Sequence, residues 1–227
     1  LALPLSFSIQ EAPPLELEAG AFEKLKAVEF PQKVILSAPA LGTYDLCPRR
    51  YFYQYRSHMP SLDPDVVGTG SVRIPPATLG TYIHKVLELC RTAPAEKAKE
   101  LALLEESYSD GEKNVLRKEG GPLIDAYLAS PLYAAYGDFP QDAEVDFELP
   151  LMTVGNASVY FEGSIDKVVH LPDGTLEIID YKSGHPPLDG MERKAYSRQR
   201  AIYSLAAEAL YHMKVSQASL HFLRNLS

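Results

Sequence analysis

Tryptophan is absent from the 227 residues, and Cys47 and Cys90 are the only cysteines. Two thiols cannot build a disulfide framework or a four-cysteine metal site within the chain, and the simplest setting is reducing and cytoplasmic. No apolar run reaches the roughly 20 residues that span a bilayer, so no membrane partner is expected. The opening, LALPLSFSIQEAPPLELEAG, lacks a basic n-region and soon turns Pro-rich and acidic, unlike a signal peptide. With no initiating Met, the chain reads as a piece of a longer polypeptide or a processed one. A basic excess is missing too: 22 Lys and Arg against 30 Asp and Glu give a net charge of −8. Bulk charge therefore excludes non-specific coating of nucleic acid. It leaves room for a local basic groove, or for an enzyme whose acids hold metal ions.

What is present suits one globular domain with an extension. Residues 1–35 are Pro-rich and without sustained periodicity, and read as a linker or N-terminal arm with a short helix around AFEKLKAVEF. The domain proper is expected over 36–227. Ser37 is placed to cap a helix through SAPALGTYDLC, and Pro48 to restart one through PRRYFYQYR. Residues 57–78 read as loop. LGTYIHKVLELCR has helical spacing, 94–118 is charged and helix-prone, and a further helix is expected over 121–129. The period then changes to two. AEVDFELPL, SVYFEGSIDKVVH and TLEIIDYK read as strands of an antiparallel meander. AYSRQRAIYSLAAEALYHM reads as a long helix with Ile202, Leu205, Ala206, Ala209, Leu210 and Met213 inward, and QASLHFLRNL as a last strand. The fold class is α/β or α+β.

Pro172, Asp173 and Gly174 suit a hairpin loop made of a type I turn and a left-handed glycine. Leu171 then pairs with Thr175, and counting back sets Asp166 opposite Asp180. Cross-strand Cβ atoms lie about 4.5–5.5 Å apart, and Lys182 shares the face of Asp180. Facing carboxylates among apolar neighbours repel unless one keeps its proton or a divalent cation with oxygen preference lies between them. A lysine alongside orients a water or neutralises phosphate charge. The hairpin alone suits a solvated ion cluster equally well, and a register slip of one residue would part the acids.

GSID, ending in Asp166, followed by IIDYK, ending in Lys182, resembles the core of PD-(D/E)XK nucleases, most closely the RecB-type nuclease domain. Other stretches agree in order: LSAPALGTYDLCPRRYFYQY with the family's opening helical motif, LGTYIHKVLE with its histidine helix, and SRQRAIYSL with its Gln/Tyr helix. The resemblance covers residues 36 to about 210. It implies a restriction-endonuclease-like core: a mixed sheet with an antiparallel catalytic hairpin, flanked by helices. The implied activity is hydrolysis of DNA phosphodiester bonds with Mg²⁺ or Mn²⁺. Asp166, Asp180, His84 and the carbonyl of Tyr181 would hold metal, and Asp166, Asp180 and Lys182 would be catalytic. The implied partners are DNA, as single strands or duplex ends, and a helicase domain or subunit in recombinational repair. Some relatives carry an iron–sulfur cluster on four cysteines; only Cys47 matches, so none is expected here.

Gln199 and Tyr203, one helical turn apart, are candidates for contact with the scissile phosphate or a base, flanked by Arg198 and Arg200 for phosphates. The competing reading packs Tyr203 on the sheet. Arg49 and Arg50 lie among Tyr51, Phe52, Tyr53 and Tyr55; the aromatics read as mainly structural. Glu144 can reach the metal from the neighbouring strand, but its alternation with Asp146 and Glu148 equally suits a solvated face. Two other roles stay open: a nuclease-like DNA-binding module that does not cut, and a domain that docks onto a helicase.

Overall fold

The computed structural model describes residues 32–59, 67–68, 72–188 and 190–226. The short helix expected around residues 21–30 lies outside them. Among the described residues are seven α-helices and a mixed five-stranded sheet: β1 (Lys33–Leu36), α1 (Ala38–Leu46), α2 (Pro48–Tyr51), α3 (Pro76–Leu89), α4 (Ala95–Glu105), α5 (Asp110–Leu128), α6 (Pro131–Ala134), β2 (Gln141–Val154), β3 (Ala157–His170), β4 (Leu176–Lys182), α7 (Gly190–Tyr211) and β5 (Val215–Phe222). None of the described helices is long and apolar enough to cross a membrane.

β2, β3 and β4 form the expected antiparallel meander. β1 joins β3 in parallel, and β5 joins β4 in parallel. The strand at Lys33–Leu36 corrects the reading of residues up to 35 as arm: its few residues are too short to show a period, and pairing with Ser158–Phe161 makes it a strand. The predicted turn is present. Leu171 N–H donates to the Thr175 carbonyl at 2.9 Å, Gly174 adopts φ +82, and the pairs run from His170↔Leu176 to Lys167↔Ile179. The Asp173 carboxylate accepts from the Thr175 N–H and hydroxyl, pinning the loop.

Two cores flank the sheet. One packs α3, α4 and α5 on Val169, Ile179 and Tyr181. The other packs α7 on Phe161, Val168, Leu176 and Ile178. Ser37 caps α1 as expected, its Oγ accepting from the Ala40 N–H. The helix expected over 121–129 is the second half of α5, which runs on from a Ser109–Glu112 capping box through Pro122. Burial of Leu116, Leu123, Ile124 and Tyr127 on one stripe outweighs the local breaker. On α7, Ile202 and Ala206 face inward as expected, but Leu205 and Leu210 are about half exposed, and Tyr203 and Ala207 take the buried positions. The apolar stripe is rotated because the sheet accepts an aromatic ring against Phe147.

α3 and α5 approach closely at Gly120, where an added Cβ would stand 2.9 Å from the ring of Tyr82. Tyr82 is fully enclosed and has little room to yield. Gly120→Ala is therefore expected to destabilise the protein by about 1–2 kcal/mol, overpacking outweighing the gain in helix propensity. Urea denaturation checks this; an unchanged midpoint would contradict the close approach.

Candidate active site

The β3–β4 ribbon ends where its charged residues begin. In an antiparallel ladder the hydrogen-bonded pairs alternate, so the next bond after Lys167↔Ile179 would run from the Tyr181 N–H to the Ile165 carbonyl. Instead that N–H donates to Asp166 Oδ2 at 2.6 Å. The carboxylate replaces a main-chain acceptor just where the strands part. β1 pairs with β3 only as far as Phe161, and β4 begins its pairing at Lys167, so residues 162–166 of β3 pair with neither of these strands. Asp166 stands at the end of that opening.

α3 delivers His84 to it. Its Nε2 lies 3.1 Å from the Tyr181 carbonyl, and its Nδ1 lies 3.3 Å from Asp166 Oδ1 and 4.0 Å from Glu144 Oε1. Each of these neighbours is an acceptor. Burial opposes the imidazolium, but the Asp166 hydrogen bond and the charges of Asp166, Glu144 and Asp180 outweigh it and raise the His84 pKa.

Glu144 reaches the cluster through an unusual backbone. The ladder flanks it with Ala143↔Lys167 and Val145↔Ile165, so it stands level with Asp166. It adopts φ +48, the left-handed region, inside a strand. That conformation costs a non-glycine residue roughly 1–2 kcal/mol and is characteristic of residues held for function. Alternation groups Glu144 with Asp146 and Glu148; the twisted backbone takes it out of that row. Burial first, then the charge of Asp166, raises its pKa.

Asp180 is 5% exposed and is gripped from two sides. Gln199 Nε2 donates to Oδ1 at 3.1 Å. Lys182 Nζ stands 2.5 Å from Oδ2 as an ion pair, yet Oδ2 is buried and accepts no aligned hydrogen bond. Burial, then repulsion by Asp166, pushes the carboxyl up to about 6 against the pull of Lys182. The Lys182 ammonium also lies 5.4 Å from the centre of the Tyr196 ring.

Ligand atoms of His84, Glu144 and Asp166 lie within 4.8 Å of one another. Together with the Tyr181 carbonyl they offer carboxylate, imidazole and carbonyl donors. That set fits a divalent cation that favours oxygen. Asp180 lies outside the compact set, drawn instead toward Lys182 and Gln199.

The remaining sequence candidates fall into place around this cluster. Gln199 also donates to the Tyr203 hydroxyl at 3.1 Å. Tyr203 is 8% exposed with its ring edge-on to Phe147, so the ring belongs to the core rather than to a stacking surface. Arg198 pairs with Asp45 of α1. Arg200 reaches the Ala218 carbonyl of β5 and the Ser197 hydroxyl. Among the described residues neither arginine pairs with Glu144, Asp166 or Asp180. The aromatics after Pro48 are not core: none from Pro48 to Arg56 is buried, Phe52 is 54% exposed, and residues Phe52–Arg56 form a π-helical turn. Tyr51 stacks on Tyr55, and the Arg49 guanidinium lies over the Tyr53 ring. A short helix followed by a π-turn has no wide buried face, so these rings pack on one another at the surface and not in the core.

A mixed sheet with a split catalytic-type ribbon, covered by helices on both faces, is the restriction-endonuclease-like architecture. The model of the PD-(D/E)XK nuclease superfamily matches residues 35–226, and the chain belongs to that superfamily. It is also similar to a subunit of the ATP-dependent helicase/deoxyribonuclease of Streptococcus mutans serotype c, at 27% identity over 186 residues. That match covers 73% of this chain but only 16% of the relative.

Proposed function

We propose that the chain is a divalent-metal-dependent deoxyribonuclease module that hydrolyses phosphodiester bonds, working beside a helicase domain or subunit. The observation that carries this reading is the meeting of His84, Glu144 and Asp166 where β3 and β4 separate, with Asp180 and Lys182 at the same opening. The helicase association rests on the similarity to a helicase/deoxyribonuclease subunit, and the metal on the donor set.

In this reading Asp166, His84, Glu144 and the Tyr181 carbonyl hold Mg²⁺ or Mn²⁺, with Asp180 as a further carboxylate. The bound ion supplies Lewis acidity toward a phosphate oxygen. Lys182 orients the attacking water and offsets charge building on the phosphate. Gln199 keeps Asp180 facing the opening, and Tyr203 fixes Gln199 from behind. Asp166 also shapes the opening, since by accepting the Tyr181 N–H it holds the two strands apart.

The test is end-labelled single- and double-stranded DNA incubated with Mg²⁺, Mn²⁺ or EDTA. Shortened products with either metal and none with EDTA are expected. Intact substrate under all conditions would overturn the assignment and favour a non-cutting DNA-binding module. Product sizes over time separate exonuclease from endonuclease action.

A further inference from the structure

Asp166 has a neighbour whose charge the nuclease reading does not use. Lys167 follows it on β3, and its side chain lines a cavity with Leu87 and Cys90 instead of joining the acidic cluster. It is 4% exposed, and among the described residues it has neither a hydrogen bond nor an ion pair. Among those residues the partner of its ammonium is the Tyr133 ring, 5.4 Å away at the centroid. Buried lysines are ordinarily paired. Lys99 of the same protein obeys that rule, held by Glu96 and Asp125.

Lys167 lines a cavity of about 270 Å³ between the end of α3, the segment after α6 and the start of β2. A second cation, Arg91, lines the same cavity and is exposed at its rim, with Nη2 donating to the Gln141 carbonyl at 2.6 Å. None of the described lining residues is acidic. The acid near Arg91 is Asp142, which lies outside the lining and whose Oδ2 meets His170 Nε2 and accepts from the Tyr211 hydroxyl. Phe139 and Tyr133 supply aromatic walls, and Cys90 completes the lining on the α3 side. Two cations with no carboxylate in the cavity lining, one buried and one with free donors of its planar fork, form a receptor for a doubly charged oxyanion. The volume exceeds what a bare phosphate fills, and the aromatic walls suit the organic group it carries.

We propose that this cavity binds a phosphate group carried as a nucleotide phosphomonoester, with Lys167 and Arg91 as its ligands. None of His84, Glu144, Asp166, Asp180 and Lys182 is among the described residues that line this cavity. It is thus separate from the cleavage site, and its existence does not depend on the nuclease reading.

Calorimetric titration of the full chain in EDTA at low salt tests it, with thymidine 5′-monophosphate, inorganic phosphate and thymidine as probes. The monophosphate is expected to bind and thymidine not to. Binding should weaken at least tenfold in Lys167→Met and in Arg91→Gln. Phosphate binding as tightly as the monophosphate would identify free phosphate as the occupant of the same site. Absence of binding by both anions, or equal affinity in Arg91→Gln, whose exposed position leaves the fold intact, would overturn the proposal.

Discussion

Asp180→Asn and Lys182→Ala proteins are expected to fold and to cut end-labelled DNA about 10²–10³-fold more slowly than the parent chain with Mg²⁺, the loss typical of removing one electrostatic contact to the transition state. Asparagine keeps the shape of Asp180 and its contact with Gln199 while removing the charge. The alanine removes the ammonium that stands 2.5 Å from Asp180 Oδ2. Because the two charges act as a unit, the double variant should be little slower than the worse single variant. Rates under single-turnover conditions, with circular dichroism to confirm folding, make the measurement. Parent-like cleavage by either folded variant would remove these residues from the mechanism.

The same carboxylate should cost the metal-free protein stability. Asp180 is pushed up to about 6 by burial, then by the charge of Asp166, with Lys182 pulling the other way. An unfolded aspartate titrates near 3.9. The folded state therefore holds this proton more tightly than the unfolded state does. Its contribution to stability is fully present below about pH 4 and is lost as pH rises through about 6. In EDTA at pH 8, Asp180→Asn should be more stable than the parent by on the order of 1–3 kcal/mol, the advantage vanishing toward pH 4. Added Mg²⁺ or Mn²⁺ should close the gap by favouring the parent's folded state. Urea denaturation at pH 4, 6 and 8, with and without metal, reads all of this. A variant less stable than the parent at pH 8 in EDTA would show that the Lys182 pair, not the repulsion, dominates.

The two expectations together describe a residue kept against its own stability interest. Buried charges are rare because desolvation opposes them. Asp166 and Asp180 lie on adjacent strands that separate there, and repulsion between them adds to the cost of burying the charge. Glu144 adds backbone strain at the same spot. Such local costs gathered at one place are consistent with the proposed reading of this cluster as a preorganised site.

How much of this is legible in the chain depends on the range of each interaction. The turn at Pro172–Gly174 is a local matter of loop length and a left-handed glycine, so the chain itself dictates the register that reaches Lys167↔Ile179. The ordered motifs from Cys47 to Tyr203 point to the superfamily and to His84, Asp166, Asp180, Lys182 and Gln199 without any knowledge of the fold. Tertiary structure alone decides that Glu144 leaves its alternating row, that Tyr203 is core, and that Arg198 and Arg200 turn to Asp45 and Ala218. It also decides that Lys167 is buried over Tyr133 without a counter-charge among the described residues. Periodicity reports which side of its own element a residue occupies; what waits on that side comes from elements distant in sequence, and only packing brings them there.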